Sequence, residues 1–336
     1  MAYDGKLLAQ ARAAFEDDKA RRREEFRRQR EALWARLPRL KEIDVRLRRT
    51  APQLIALALR RGEDPAAQID RLKTENLALQ QERAAILTAA GCEPDALTEK
   101  PFCAACGDTG YLPDGAMCTC LQAYYVRAQN RELSKLLNIG AQSFDSFDME
   151  YYSKAVWPEY GMSPYDNMDL IRETCWRYAR SFGKGSGSLL LTGTPGLGKT
   201  FLSACIAREV SRQGFSVVYD TAGHIVAQFE TDKFRRGGEE EMEEAAADVR
   251  RYLNCDLLIV DDLGTELATP FVQDALYQLI NGRIVTERAT IVNSNLDEAA
   301  IRKRYSPQIA SRLCGEYRML RFFGEDIRKL RQRRSR

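Results

Sequence analysis

Residues 188–200 read Ser188-Leu-Leu-Leu-Thr192-Gly193-Thr-Pro-Gly-Leu-Gly198-Lys199-Thr200, and this stretch decides the fold. The three leucines form a continuous apolar run of the kind that becomes a strand buried on both faces. Gly193, Thr194, Pro195, Gly196, Leu197, Gly198, Lys199 and Thr200 satisfy the G-x-x-x-x-G-K-[ST] phosphate-loop pattern. Phe201 to Val210 reads as a helix, which completes the strand–loop–helix context the pattern needs. Glycines let backbone amides curl around phosphate oxygens, and the helix N-terminus adds its positive dipole end. Lys199 is expected to reach the β and γ phosphates of ATP, and the Thr200 hydroxyl to ligate Mg²⁺. A glycine turn before a core helix can show the same letters, so the assignment needs a partner motif.

Asp256-Leu-Leu-Ile-Val260-Asp261-Asp262-Leu-Gly264 supplies it: an apolar strand ending in two carboxylates. Asp261 is expected to hold Mg²⁺ with Thr200, and Asp262 to polarise the attacking water. Many ATPases place Glu there, and the shorter Asp leaves the base open. Thr290-Ile-Val-Asn293-Ser294-Asn295 ends another strand in amides. In an ATPase of this topology that strand lies between the two motif strands. Asn295 is the candidate for contact with the γ-phosphate and water, and Asn293 is the reserve; alternation points both the same way. Arg312, on a helix before the last strand, and Arg328, after it, are candidates to stabilise charge at the γ-phosphate. The single histidine, His224, has no second histidine to form a cluster and is read as structural.

Candidate strands at 188–192, 216–220, 257–261, 290–293 and 319–323 alternate with helices, which predicts a five-stranded parallel sheet with helices on both faces. The predicted ATPase domain covers 166–336 and ends in a basic tail, Arg328 to Arg336; a helical connector covers 124–165.

In front of it, Cys103-Ala-Ala-Cys106 and Cys118-Thr-Cys120 place four thiols in a glycine-rich stretch too short for a core. A tetrahedral zinc site suits that composition, and 91–123 is predicted to be a small zinc module. Cys92, Cys175, Cys205, Cys255 and Cys314 are read as core thiols. Residues 1–90 are nearly free of glycine. Phe26, Arg30, Leu33, Leu37, Leu40, Asp44 and Leu47 step by threes and fours, as do Ile69, Leu72, Asn76, Leu79, Arg83 and Ile86. The expectation is a coiled-coil-like hairpin of two long helices, turning at Arg61–Pro65, kinked at Pro38, with Asn76 and Arg83 polar within its seam.

The formal net charge of +3 excludes a polycation, although residues 1–60 and the tail are rich in arginine. No apolar run approaches the ~18 residues that span a bilayer. The N-terminus lacks an export signal, and nine cysteines, an odd number, favour reduced thiols. The expectation is a cytoplasmic protein without a membrane partner.

The phosphate loop, Leu257-to-Leu267 (LLIVDDLGTEL), the strand Thr290–Leu296 and Ser311-to-Lys329 (SRLCGEYRMLRFFGEDIRK) together resemble the DnaC/DnaI-type AAA+ helicase loaders. The related IstB-like transposition ATPases share this core, and the resemblance spans 144–329. The cysteine segment looks like the zinc module of the DnaI-type branch. The resemblance implies an AAA+ ATPase core without a C-terminal lid. It implies self-association with ATP at subunit junctions, a DnaB-type hexameric replicative helicase as partner, and single-stranded DNA as the track. It makes Arg312 a trans-acting arginine finger and Arg328 a sensor arginine. It also implies an ssDNA-contacting helical insert, where Phe229, Lys233, Phe234, Arg235 and Arg236 join cations to aromatic rings; the acidic run Glu239–Glu244 follows at once. The alternatives are an IstB-like transposition helper acting on duplex DNA, and a zinc-dependent DNA-binding adaptor whose ATP site only senses nucleotide.

Overall fold

A computed structural model describes residues 3–58, 66–137, 142–234 and 238–334. In chain order the elements are α1 (Gly5–Arg36), α2 (Pro38–Ala58), α3 (Ala66–Ala89), α4 (Thr119–Leu136), α5 (Pro164–Arg180), β1 (Ser188–Thr192), α6 (Lys199–Arg212), β2 (Val217–Thr221), α7 (Ala222–Phe234) and α8 (Glu239–Asn254). β3 (Leu257–Leu263), α9 (Pro270–Val285), β4 (Ala289–Ser294), α10 (Glu298–Arg304), α11 (Pro307–Gly315), β5 (Tyr317–Arg321) and α12 (Ile327–Arg334) follow. They form two compact units: residues 13–120, and residues 1–12 together with 121–336.

The larger unit is an α/β layer structure built on a five-stranded parallel sheet, as expected from the sequence. Its five strands run parallel in the order β2-β3-β4-β1-β5, so β4 lies between the loop-bearing β1 and the carboxylate-bearing β3. Strand alternation splits the core in two. Leu189, Leu191, Ile259 and Ile291 pack with Met168 and Ile171 of α5 and Leu202 and Ile206 of α6. Leu190, Leu258, Val260 and Val292 pack with Ile225 of α7, Leu276 and Leu279 of α9 and Leu313 of α11. Three helices start on one device, a Ser or Thr cap followed by proline: Ser163–Pro164, Thr269–Pro270 and Ser306–Pro307. The acidic run Glu239–Glu241 fills the first turn of α8, where it meets the positive dipole end. Arg283 of α9 is wholly buried. Its guanidinium donates to Thr290 Oγ1 (2.9 Å) and to the carbonyls of Tyr252 (2.5 Å), Cys255 (3.1 Å) and Ala289 (2.5 Å).

Several boundaries differ from the sequence expectation. β3 continues through both carboxylates to Leu263, and β2 starts one residue later than predicted. β5 is Tyr317–Arg321, not 319–323, because it pairs with β1 from Ser188↔Tyr317 to Thr192↔Arg321. Phe322 and Phe323 extend the apolar run but serve packing, Phe323 stacking on Tyr160 at 3.9 Å. Much of the basic tail is helical, α12, with Arg331 over the Tyr151 ring. Cys175, Cys205 and Cys255 are buried, whereas Cys92 and Cys314 are only partly so.

The two compact units are bounded differently from the segments read in the sequence. The first residues belong with the ATPase unit: Asp4 pairs with Arg251, its amide donates to Tyr125 Oη, and Leu7 and Ala11 are buried. The rest of the helical segment and the cysteine module form one unit, not two. At its other limit α4 begins between the last two cysteines and continues into the ATPase unit.

Within the smaller unit Pro38 breaks the helix outright, because a proline inside it would clash with the preceding turn. Proline is welcome as the first residue of α2. The hairpin is α2 against α3, and its expected turn, Arg61–Pro65, lies outside the described residues. Leu40, Ile43, Leu79 and Leu87 are buried. Arg83 donates to the buried Asp44 carboxylate (3.3 Å), joining two residues of the two sequence stripes. Asn76 accepts from Gln80 on its own helix.

Candidate functional site

The phosphate loop joins β1 to α6. Gly193 (φ 142°) and Gly196 (φ 81°) are backbone requirements, since a Cβ would sit 2.2 Å from the Phe322 carbonyl oxygen and 1.9 Å from Asp326 Oδ1. The loop is braced from outside: Ile327 N donates to Gly196 O (3.0 Å), and Tyr152 Oη to Leu197 O (3.0 Å). α6 has Gly198 at its cap with no side-chain acceptor, so its first-turn amides are not taken by a cap. Lys199 Nζ donates to Gly193 O (2.6 Å), Thr194 O (2.9 Å) and Asn295 Oδ1 (2.8 Å). Burial pulls its pKa down to about 8, against the pull of Asp261 and Asp262.

Asp261 accepts four hydrogen bonds. Oδ2 takes Thr200 Oγ1 (3.0 Å) and Tyr219 Oη (2.6 Å); Oδ1 takes the Asp262 amide (2.9 Å) and Asn293 Nδ2 (3.1 Å). Asp262 turns the other way, with φ 53° and an exposed side chain. Partial burial and the neighbouring Asp261 charge raise its pKa, while Lys199 and Arg328 oppose the rise. A raised carboxylate is a better proton acceptor than an ordinary aspartate. The two asparagines divide: Asn293 is buried and ties Asp261 to Ser203 Oγ of α6 (2.9 Å), while the exposed Asn295 reaches Lys199.

The late arginines also separate. Arg328 follows Ile327, whose amide donates to Gly196 O (3.0 Å), which places this segment beside the loop. Arg312 is held by α9, donating to Asn281 Oδ1 (2.9 Å) and Tyr277 Oη (3.4 Å) with its guanidinium over the Tyr277 ring. The structure thus gathers Gly193–Thr200, Asp261, Asp262, Asn293, Asn295 and Arg328, whereas the contacts of Arg312 lie on α9. The donor set fits a nucleotide triphosphate with Mg²⁺: open loop amides and an ammonium for phosphate, a hydroxyl and a carboxylate side by side for a hard cation.

Sequence reasoning missed Tyr219, Ser203, Tyr152 and Glu266. Glu266 is buried beyond β3, takes the Gly264 amide (2.8 Å) and the Tyr305 hydroxyl, and pairs with Arg304. Tyr219 alternates onto the face of Thr221, the residue that opposes Asp261; the strand pairing that reveals this is not written in the sequence. His224 contacts Asp220 Oδ2 (2.6 Å) and Gln228.

The proposed DNA-contacting set is corrected in part. Phe229 is a buried core residue of α7. Lys233 pairs with Asp274 (2.7 Å), and Phe234 packs on Phe271 with half of its surface exposed. Arg235 and Arg236 lie outside the described residues.

In the smaller unit Cys103, Cys106, Cys118 and Cys120 bring their sulfurs within 4.8 Å of one another. The Cys103–Cys118 and Cys106–Cys120 separations are 3.6 and 3.4 Å, near the ~3.8 Å edge of a tetrahedron with zinc–sulfur bonds of about 2.3 Å. Asp108, in left-handed conformation, accepts from the amides of Phe102 (3.0 Å) and Cys103 (2.9 Å) and shapes the first knuckle. Lys19 of α1 donates to Asp108 O, and Arg22 lies over the Phe102 ring. The four thiols can hold a metal ion.

Residues 177–308 match the family of IstB-like ATP binding proteins. The replicative helicase loader DnaC of Escherichia coli (strain K12) is 31% identical over 124 residues, 36% of this chain and 49% of that protein. The replicative helicase loader DnaC of Buchnera aphidicola subsp. Baizongia pistaciae is 26% identical over 153 residues, 45% of this chain and 61% of that protein. The chain thus spans only about half the length of such curated relatives. A crystal structure of the DnaC helicase loader aligns with 55% of this chain and 99% of its own, at 17% identity and a TM-score of 0.44. Residues 177–308 are thus similar to the IstB-like ATP binding proteins, and the chain resembles replicative helicase loaders of the DnaC type.

Proposed function

We propose that this protein is an ATP-dependent loader that places a hexameric, DnaB-type replicative helicase on single-stranded DNA. The observation that carries the proposal is the conjunction of the phosphate-loop site with a sequence relationship to replicative helicase loaders over 124 residues. The loop amides and Lys199 would grip the phosphates, and Thr200 with Asp261 would hold Mg²⁺, which when bound would neutralise charge on phosphate oxygens. Asp262 takes the proton of the attacking water, and Asn295 orients that water beside Lys199. Arg328 reports the γ-phosphate within the subunit. Arg312 completes the site of a neighbouring subunit in an AAA+ oligomer, a role supported by its contacts with Asn281 and Tyr277 of α9. A slow hydrolysis that times release suits a chain acting as an assembly factor. The helical hairpin and a zinc-bound cysteine module would dock the helicase, in the cytoplasm. Among the described residues no helix is long and apolar enough to cross a membrane.

The second reading is a transposition helper acting on duplex DNA, favoured by the IstB-like family match. The two separate in one experiment: purified protein, ATP and a DnaB-type helicase on a forked substrate with a single-stranded arm. Faster helicase loading supports the first reading. No helicase binding, together with ATP-dependent assembly on long duplex, overturns it in favour of the second.

A further inference from the structure

Asp261 is the best-connected carboxylate of the site, and one of its four donors comes from a strand that carries none of the motifs. Rotation about the terminal side-chain torsion of an aspartate is broad and two-fold, so its orientation is set by what it bonds to. Two donors, the Asp262 amide and Asn293, fix Oδ1. Thr200 Oγ1 and Tyr219 Oη share Oδ2. Thr200 sits in the first turn of α6, directly after the phosphate loop. Tyr219 sits on β2, and its phenol–carboxylate contact of 2.6 Å is shorter than the Thr200 contact of 3.0 Å.

We infer that Tyr219 is a positioning residue for the metal: its hydroxyl holds the Asp261 carboxylate in the orientation that receives Mg²⁺ with the nucleotide. The inference rests on the ATP site proposed above. β2 pairs in register with β3, Tyr219 opposite Ile259 and Thr221 opposite Asp261, which fixes the hydroxyl relative to the carboxylate through backbone rather than loop.

Tyr219→Phe removes one oxygen and keeps the ring that packs beside the sheet. The test titrates Mg²⁺ against fluorescent-nucleotide affinity in the full chain, with affinity in EDTA and the melting temperature as companion measurements. The expected result is a rise of about tenfold in half-saturating Mg²⁺, the effect of losing one hydrogen bond to a charged group, with affinity in EDTA unchanged. An unchanged Mg²⁺ dependence in the variant overturns the inference. So does an equal loss of affinity with and without Mg²⁺, which is the mark of a purely structural role. If the unaltered chain itself shows no Mg²⁺-dependent binding, the ATP-site proposal falls and the inference falls with it.

Discussion

Lys199 directs its ammonium onto two carbonyls of its own loop and onto Asn295, and the pocket that holds it resists the charge. Desolvation pulls its pKa to about 8 in the nucleotide-free protein. Phosphates favour the protonated form, so the bound lysine keeps its proton to higher pH. ATP affinity is therefore expected to be flat in this group below about pH 7. Above about 8 it should fall by up to about tenfold per pH unit, because binding then requires proton uptake. The same depression makes the unfolded chain bind more protons between about pH 8 and 10.5, so the ligand-free fold gains stability across that window as pH rises. Fluorescent-nucleotide titrations from pH 7 to 9.5 check the binding arm, and a flat profile would falsify it. Lys199, Thr200, Asp261 and Asn295 were legible in the sequence because each sits in a local pattern whose chemistry is short-range. Tyr219 and Glu266 were not, since nothing adjacent to them in sequence marks them and their meaning comes from partners 42 and 39 positions away.

At the level of elements, the strands were legible from apolar runs, and the place of β4 between β1 and β3 from the pairing of the two motifs. β5 shows the limit of that method. Met319 to Phe323 is the more hydrophobic stretch, yet pairing with β1 selects Tyr317–Arg321 and sends the two phenylalanines into packing. The α2/α3 hairpin carries its own prediction. Asp44 is buried and faces Arg83, with Arg48 farther away at 3.5 Å. Arg83→Leu should destabilise the hairpin by about 2 kcal/mol, the cost of leaving a buried carboxylate short of a charged donor. Adding Asp44→Leu should restore most of it. Chemical denaturation of both variants measures this; additive losses would show that the pair is not coupled. For the cysteine knuckles, Cys103→Ser should remove bound zinc, read by elemental mass spectrometry, and leave ATP affinity intact. Retention of a full equivalent of zinc would end the four-thiolate assignment.

At the scale of the whole molecule, the sequence suggests segments in series, while the compact units do not follow chain order. The first residues join the ATPase unit through Asp4, Leu7 and Ala11, while residues 13–120 form a separate unit. Composition cannot show this, because α1 passes from one unit to the other with no glycine or proline to mark the change. Assembly adds a prediction. If Arg312 serves a neighbour, Arg312→Ala should abolish hydrolysis in homogeneous preparations. Mixing with a Lys199→Ala protein should restore part of it, since each variant supplies what the other lacks. Activity that stays at zero at every mixing ratio would argue that Arg312 works within its own subunit or only in packing.

Arg283 has a consequence for how this core comes apart. Its charge is neutralised by no carboxylate among the contacts described; it is spread over carbonyls at the end of α8 and on β4, reached from α9. A guanidinium in that position cannot lose one acceptor at a time without standing unsolvated inside the protein. α8, α9 and β4 are thereby made a single cooperative block: they open together, admitting water to the ion in one step, or they stay closed.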